Sequence, residues 1–368
     1  MMTVSETPNE PQSRKPLLKG KTLEELQEWV ISIGEKPYRG LQLHQWMYKR
    51  NAHSFAEMTD IRQELREQLA REYRLVAAEI AQVQESQIDH SRKYLFRLQD
   101  GQHVESVLMH DGKRHTICLS TQVGCAIGCP YCATGQMGFQ RQLHSAEIVD
   151  QFLQIAGRQS DKITHIVFMG MGEPFLNYDN VIRAARIFNS ERGPMIAARK
   201  ITISTSGILP AIYRYIEEKH KFKLAISLNG STDEQRDYLV PINRRYPIRD
   251  LLEAARTYTQ KSRRMMTFEY ILIAGFNDRP ADARRLCSIL GQIRCKLNII
   301  PFNETPFSEF RQPSEESLNA FVQLLLKGSM TVTVRRSKGQ DIAAACGQLY
   351  ASHRQNQTKD QTRQPRFP

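Results

Sequence analysis

The chain has 368 residues, with 51 Lys plus Arg against 39 Asp plus Glu and a formal net charge of +12 at neutral pH. A chain this long buries a sizeable core and divides into more than one unit, and its charge favours an anionic partner, nucleic acid ahead of a membrane surface. No apolar run approaches the roughly 20 residues that cross a bilayer and the N-terminus has no apolar signal segment, so the sequence reads against a membrane or secreted protein and a cytoplasmic location is expected.

Residues 1–19 are polar and Pro-rich and read as a disordered leader. Thr22-Leu23-Glu24-Glu25 is a capping box, in which Thr22 and Glu25 each satisfy a free amide of a first helical turn. Leu23, Leu26, Val30 and Ile33 share one face of the helix that follows, and Gly34 stops it. Further helical patterns at 39–50 and 60–74 complete a small helical domain over 20–75. Residues 76–111 change to short alternating strands with a turn at Asp100-Gly101, a β extension.

Over 112–350 strands and helices take turns. Strand-like runs fall at 116–121, 164–169, 200–205, 223–228, 267–273, 296–302 and 331–336, separated by helical stretches such as 146–156, for which Ser145 is the expected N-cap. Repeated strand–helix units imply an α/β fold with a parallel sheet. Six units without a Gly-x-Gly-x-x-Gly turn favour a partial (β/α)6 barrel over a dinucleotide-binding fold. Residues 351–368 read as a disordered basic tail.

Seven cysteines are present, and three crowd into Cys125-Ala-Ile-Gly-Cys129-Pro-Tyr-Cys132 directly after the first barrel strand. Three thiolates at this spacing can wrap one corner of a cubane cluster, with Gly124 and Gly128 letting the backbone turn around it. A four-iron cluster normally takes four cysteines, so three leave one iron open to chelate a substrate group. Zinc would ask for a fourth Cys or His at regular spacing; His115 and His144 lie at odd distances. Polar residues also gather where barrel enzymes carry their sites, at the C-terminal ends of strands. Gly170-Met-Gly172-Glu173-Pro ends the second strand, Ser204 the third, Ser227-Leu228-Asn229 the fourth and Asn303 the sixth.

The Cys-x3-Cys-x2-Cys loop resembles the signature of the radical S-adenosylmethionine superfamily. That resemblance implies a [4Fe-4S] cluster held by Cys125, Cys129 and Cys132, whose open iron binds S-adenosyl-L-methionine and releases a 5′-deoxyadenosyl radical. The wider run Gln122-Val-Gly-Cys-Ala-Ile-Gly-Cys-Pro-Tyr-Cys-Ala-Thr-Gly135, with Gly170-Met-Gly-Glu-Pro174, Ile203-Ser-Thr-Ser-Gly207 and Ala345-Cys-Gly-Gln-Leu349, resembles the RlmN/Cfr group of RNA methyltransferases over roughly 17–350. In that group the matching positions bind S-adenosylmethionine, which implies Gly172, Glu173, Ser204, Ser227, Leu228, Asn229 and Asn303 here. The group often has His where this chain has Asn229, and Asn cannot exchange a proton near neutral pH.

Carbon 2 or 8 of adenine is not nucleophilic, so polar methyl transfer fails there. A radical route needs a methyl carrier, which a nucleophilic cysteine provides as a thioether, and a second thiol to resolve the protein–RNA link by attack on sulfur. The resemblance assigns the carrier to Cys346 and the resolving thiol to Cys118; Cys287 and Cys295 read as small buried residues. Glu105 shares a strand face with Val107 and Met109, and the resemblance makes it the proton acceptor.

The implied substrate is 23S rRNA, with tRNA as a second candidate, and the implied redox partner is a flavodoxin or ferredoxin; the chain is expected to act as a monomer. Carbon 2 is favoured because the N-terminal segment and 331–339 look more RlmN-like, the alternatives being carbon 8 or a non-catalytic metal-containing RNA-binding protein. Basic clusters at Arg244-Arg245, 261–264, 335–338 and Lys49-Arg50 read as solvated faces.

Overall fold

A computed structural model describes residues 15–350; residues 1–14 of the expected leader and the expected tail lie outside the described residues. The end of the expected leader is ordered. Leu17 bridges Arg74, Leu18 is fully buried, and Lys19 forms an ion pair of 2.6 Å with Asp150. These are apolar or partnered side chains, and Gly20 then fits a left-handed turn (φ +95°) where a β-carbon would meet the backbone of Ala146.

The three expected helices form as α1 (Leu23–Ser32), α2 (Tyr38–Tyr48) and α3 (Gln63–Glu72). The Thr22–Glu25 capping box closes in both directions, and Leu26, Val30, Leu43, Met47, Leu65 and Leu69 build the core between them. Lys19 and Asp150 tie this unit to the rest of the chain. Both side chains are buried, and Asp150 also accepts the N–H groups of Ala77 and Ala78. Removing one partner strands the other charge, so Lys19→Met is expected to cost about 3–5 kcal/mol, read as a fall in the urea midpoint.

His44 on α2 is a second buried polar group here, and burial pushes its imidazole down to about 4. The unfolded chain takes up that proton near pH 6.5. His44 therefore leaves stability untouched above pH 6.5 and lowers it as pH falls toward 4, by about 1.4 kcal/mol per unit between the two values. His44→Phe is expected to lose less of its urea midpoint between pH 7 and pH 5 than the parent does.

Three antiparallel strands follow: β1 (Ala78–Glu85), β2 (Arg92–Leu98) and β3 (His103–Asp111). β3 turns into β4 (Arg114–Cys118), with Val107 opposite Cys118, and β4 opens the parallel part of the sheet. A short hairpin of β5 (Gln122–Gly124) and β6 (Phe139–Gln142) interrupts the series and brackets the cysteine loop and α4 (Ala133–Gln136). Sequence periodicity did not reveal this hairpin, whose strands are short and lack an apolar alternation.

The parallel strands then run β7 (His165–Phe168), β8 (Ile201–Thr205), β9 (Lys223–Ser227), β10 (Met266–Leu272), β11 (Cys295–Pro301) and β12 (Thr331–Val334). Helices separate most of them. The first, α5 (Ser145–Ala156), starts one residue earlier than expected. His144 is its N-cap, with Nδ1 accepting from Ala146 and Glu147 accepting from the His144 N–H, while the Ser145 hydroxyl donates to the Gly20 carbonyl.

One sheet carries all the strands except the hairpin, in the order β1-β2-β3-β4-β7-β8-β9-β10-β11-β12. β1 and β12 are its edges among the described residues, so the parallel part is a barrel left open. The chain beyond β12 crosses back over that opening. Gly339 N–H donates to Asp89, Asp341 accepts from Ser86, and Ala133 N–H donates to Gly347 at 2.7 Å. This crossing delivers Cys346 to the cysteine loop.

Candidate functional site

The cysteine loop is shaped by its glycines. Gly124 (φ +72°) ends β5 against Gly138, whose carbonyl accepts the Cys125 N–H at 3.1 Å, and Gly128 (φ +71°) turns the chain inside the loop. Cys125, Cys129 and Cys132 line one cavity with Gly170, Gly172, Glu173, Ser204, Ser227 and Asn229. All seven cysteines are free thiols, and burial pushes the three loop thiols up, Cys125 to about 12. Binding iron would displace those protons.

Among the described residues no three His, Cys, Asp or Glu side chains converge as the ligands of a single metal ion do. Zinc needs its ligands at about 2.3 Å from one centre. A cubane cluster takes each thiolate on a different iron and so asks the cysteines to surround it. Three cysteines around one cavity wall fit the second demand.

The second-strand motif forms the facing wall. Gly172 sits at φ +99° against Gln122, where a β-carbon would come within 2.5 Å of that side chain. Glu173 is buried and caps its own turn: Oε1 accepts from Phe175 N–H at 2.9 Å and Oε2 from Ser206 N–H at 2.7 Å. Burial raises its carboxyl, which suits a group that gains a cationic partner on ligand binding. Ser204 donates to Glu269 at 3.3 Å and lies 3.4 Å from the Ser227 hydroxyl.

Two of the expected cofactor residues do not line the cavity. The Leu228 side chain is packed in the core, its N–H bonded to the Glu269 carbonyl. Asn303 donates to the Cys346 carbonyl at 3.0 Å and accepts from Gln340 at 2.9 Å, so it holds the Cys346 loop. Asn229 does line the cavity, but with much of its amide engaged: Nδ2 donates to Tyr131 at 2.8 Å and Oδ1 accepts from Ile271 N–H at 2.9 Å. Its backbone is left-handed (φ +55°), a conformation in which Asn and His are both enriched.

Cys346 is half-buried and lines two spaces at once. One is the cavity of the three loop cysteines; the other is a small cleft shared with Cys118, Met169 and Arg335. Cys118 is buried, and burial with the neighbouring Cys346 pushes its thiol up to about 12, while the Arg335 guanidinium acts in the opposite direction. Cys287 and Cys295 lie elsewhere, Cys295 buried and Cys287 half-buried, each thiol directed at helix carbonyls.

Glu105 is buried, but its surroundings are not the apolar side expected from Val107 and Met109. Lys93 Nζ lies 3.3 Å from Oε1 and Tyr350 N–H donates to Oε2 at 2.9 Å, because both neighbouring strand β2 and the returning chain reach it. Three site residues were missed by sequence reasoning. Tyr131 is inside the cysteine motif; Glu269 is an acid at an inward position of an apolar strand, a readable signal; Arg335 stands in a basic run whose pattern is that of a solvated face.

Residues 17–75 match the ribosomal RNA large subunit methyltransferase N-terminal domain and residues 119–287 match the radical SAM superfamily. The chain is 47% identical over 334 residues to the dual-specificity RNA methyltransferase RlmN of Syntrophus aciditrophicus, covering 90% of this chain and 95% of that protein. It is 41% identical over 353 residues to the probable dual-specificity RNA methyltransferase RlmN of Geobacillus kaustophilus, covering 95% and 96%. A crystal structure of a radical SAM methyltransferase from Sphaerobacter thermophilus superimposes with a TM-score of 0.86 at 44% identity, covering 91% of this chain and 99% of that one.

Proposed function

The chain belongs to the RlmN family of radical S-adenosylmethionine RNA methyltransferases, and within it we propose that it methylates carbon 2 of an adenosine in 23S rRNA through a methyl-cysteine on Cys346, with an adenosine beside the tRNA anticodon as a second substrate. The relatives' names as dual-specificity RNA methyltransferases support two RNA substrates. The observation that carries the reading is the place of Cys346, on the wall between the cluster cavity and the cleft of Cys118.

Cys125, Cys129 and Cys132 would hold the cluster, and Glu173 with Ser204, Ser227 and Asn229 would hold S-adenosylmethionine. When bound, these groups supply the methyl group and a carbon radical able to abstract hydrogen. The residues of the chain divide the remaining work. Cys346 carries the methyl group as a thioether and presents it from a half-buried turn. Glu105, held by Lys93, accepts the proton lost from the adenine carbon. The odd electron left on the adenine adduct would pass to the oxidised cluster. Cys118, as a thiolate, then attacks the Cys346 sulfur; the sulfur–carbon bond breaks, its electron pair stays with the carbon, which takes up a proton to become the methyl group, and a Cys118–Cys346 disulfide remains. A flavodoxin or ferredoxin would supply electrons.

Peptide mass spectrometry of cluster-loaded protein incubated with S-adenosylmethionine and no RNA tests the carrier role. One methyl group is expected on the peptide holding Cys346 and none in Cys346→Ala. A methyl group on another residue would overturn the assignment.

A further inference from the structure

A second cavity of about 430 Å³ opens where the parallel strands begin, at the end of the barrel away from the cysteine loop. Arg114 starts β4, Lys223 starts β9 and Lys296 is the second residue of β11; all three line it, and Arg335 and Lys338 face it from the returning chain. Among the described residues Arg114, Lys223, Lys296 and Lys338 have no carboxylate within ion-pair distance. They act on one another instead. After burial, Arg114 and Lys296 are what push Lys223 down, and Arg114, Lys200 and Lys223 help to bring nearby His165 down to about 4. The acids on the wall are Asp111 and Glu269; burial raises the Glu269 carboxyl, and Arg335 and Lys296 act in the opposite direction.

Cations that outnumber the acids in a concavity repel one another, and a low-dielectric wall focuses their field outward. An anion bound between them removes that repulsion. The cavity also adjoins the reaction site. Met169 and Glu269 line the cluster cavity too, and Met109, Met169, Arg335 and Lys338 line the cleft of Cys118 and Cys346. An adenosine whose base reaches Cys346 past this shared wall leaves its sugar–phosphate chain on the side of Lys223 and Lys296.

We propose that this basic cavity receives the phosphodiester groups flanking the target adenosine, an inference that rests on the RNA-methyltransferase reading. Lysines and arginines placed in this way fix where the backbone lies without reading a base, which suits an enzyme that accepts more than one RNA. Of the basic clusters visible in the sequence, 335–338 lines this cavity, whereas 261–264 lies away from it.

Fluorescence anisotropy with a labelled hairpin RNA of the anticodon stem-loop tests it on cluster-loaded protein. Lys223→Ala/Lys296→Ala is compared with the parent and with Lys261→Ala/Arg263→Ala across a range of salt. Each phosphate contact contributes about 0.7–0.9 to the slope of log affinity against log salt. The cavity variant should lose about 1.4–1.8 of that slope and bind several-fold more weakly, while the 261/263 variant keeps the parental values. Methyl loading of Cys346 without RNA, read by intact mass, should be parental in both, which separates a lost phosphate site from a damaged fold. Parental slope and affinity in the cavity variant would overturn the proposal alone. No RNA binding by the parent would overturn the RNA reading and the proposal with it.

Discussion

Replacing Cys118 by Ala is expected to reduce turnover to less than one cycle and to leave the protein covalently joined to its RNA. Cys118 is 6% exposed and Ala is close to it in size, so the fold should tolerate the change. What the variant lacks is the thiol beside Cys346 in their common cleft. Methyl loading of Cys346 and addition to adenine do not need Cys118; release does, because only attack on the Cys346 sulfur breaks the sulfur–carbon bond. The Arg335 guanidinium lies in the same cleft, where its charge favours the Cys118 thiolate that burial opposes. With labelled RNA, a slow band should survive denaturing electrophoresis and vanish on ribonuclease treatment. Cys118→Ala that turns over freely, or a crosslink that persists in Cys346→Ala, would contradict the division of roles.

Gly124→Ala is expected to abolish cluster loading while the barrel stays folded. At φ +72° a side chain costs about 1–2 kcal/mol, which the fold could absorb. The larger effect is steric: the new β-carbon would stand 1.7 Å from the Gly138 carbonyl oxygen. That oxygen is backbone and already accepts the Cys125 N–H, so it cannot swing aside as a flexible side chain would. The β5–β6 hairpin must separate, and Cys125 moves with it. Iron and sulfide content after anaerobic reconstitution should fall to the level of a variant lacking all three loop cysteines. Gly128→Ala is the counter-test, because its φ is +71° but nothing lies within 4 Å of the added carbon. It should retain the cluster, and a Gly124→Ala protein that loads as well would refute the steric account.

The barrel and its chemistry were legible in the sequence because each had a periodic or spaced signal. Apolar runs of strand length separated by helical stretches marked the parallel strands to within a few residues, and the Cys-x3-Cys-x2-Cys spacing marked the loop between them. Contacts made by distant segments were not legible. Asn303 occupies the expected strand end but grips the Cys346 loop, because the chain beyond β12 returns across the barrel and no local pattern announces that path. Glu105 meets Tyr350 for the same reason, while Lys93 reaches it from the neighbouring strand β2. Arg335 looked like its neighbour Arg336, yet Arg336 pairs with exposed Glu315 while Arg335 turns inward beside two thiols. Within the run Arg335-Arg336-Ser337-Lys338 no local pattern separates the two.

The most direct test of the whole account is mass spectrometry of nucleosides from 23S rRNA treated with cluster-loaded protein, reductant and S-adenosylmethionine. The account predicts 2-methyladenosine, absent in Cys346→Ala. 8-Methyladenosine, or no methylated adenosine from protein that demonstrably cleaves S-adenosylmethionine, would contradict it.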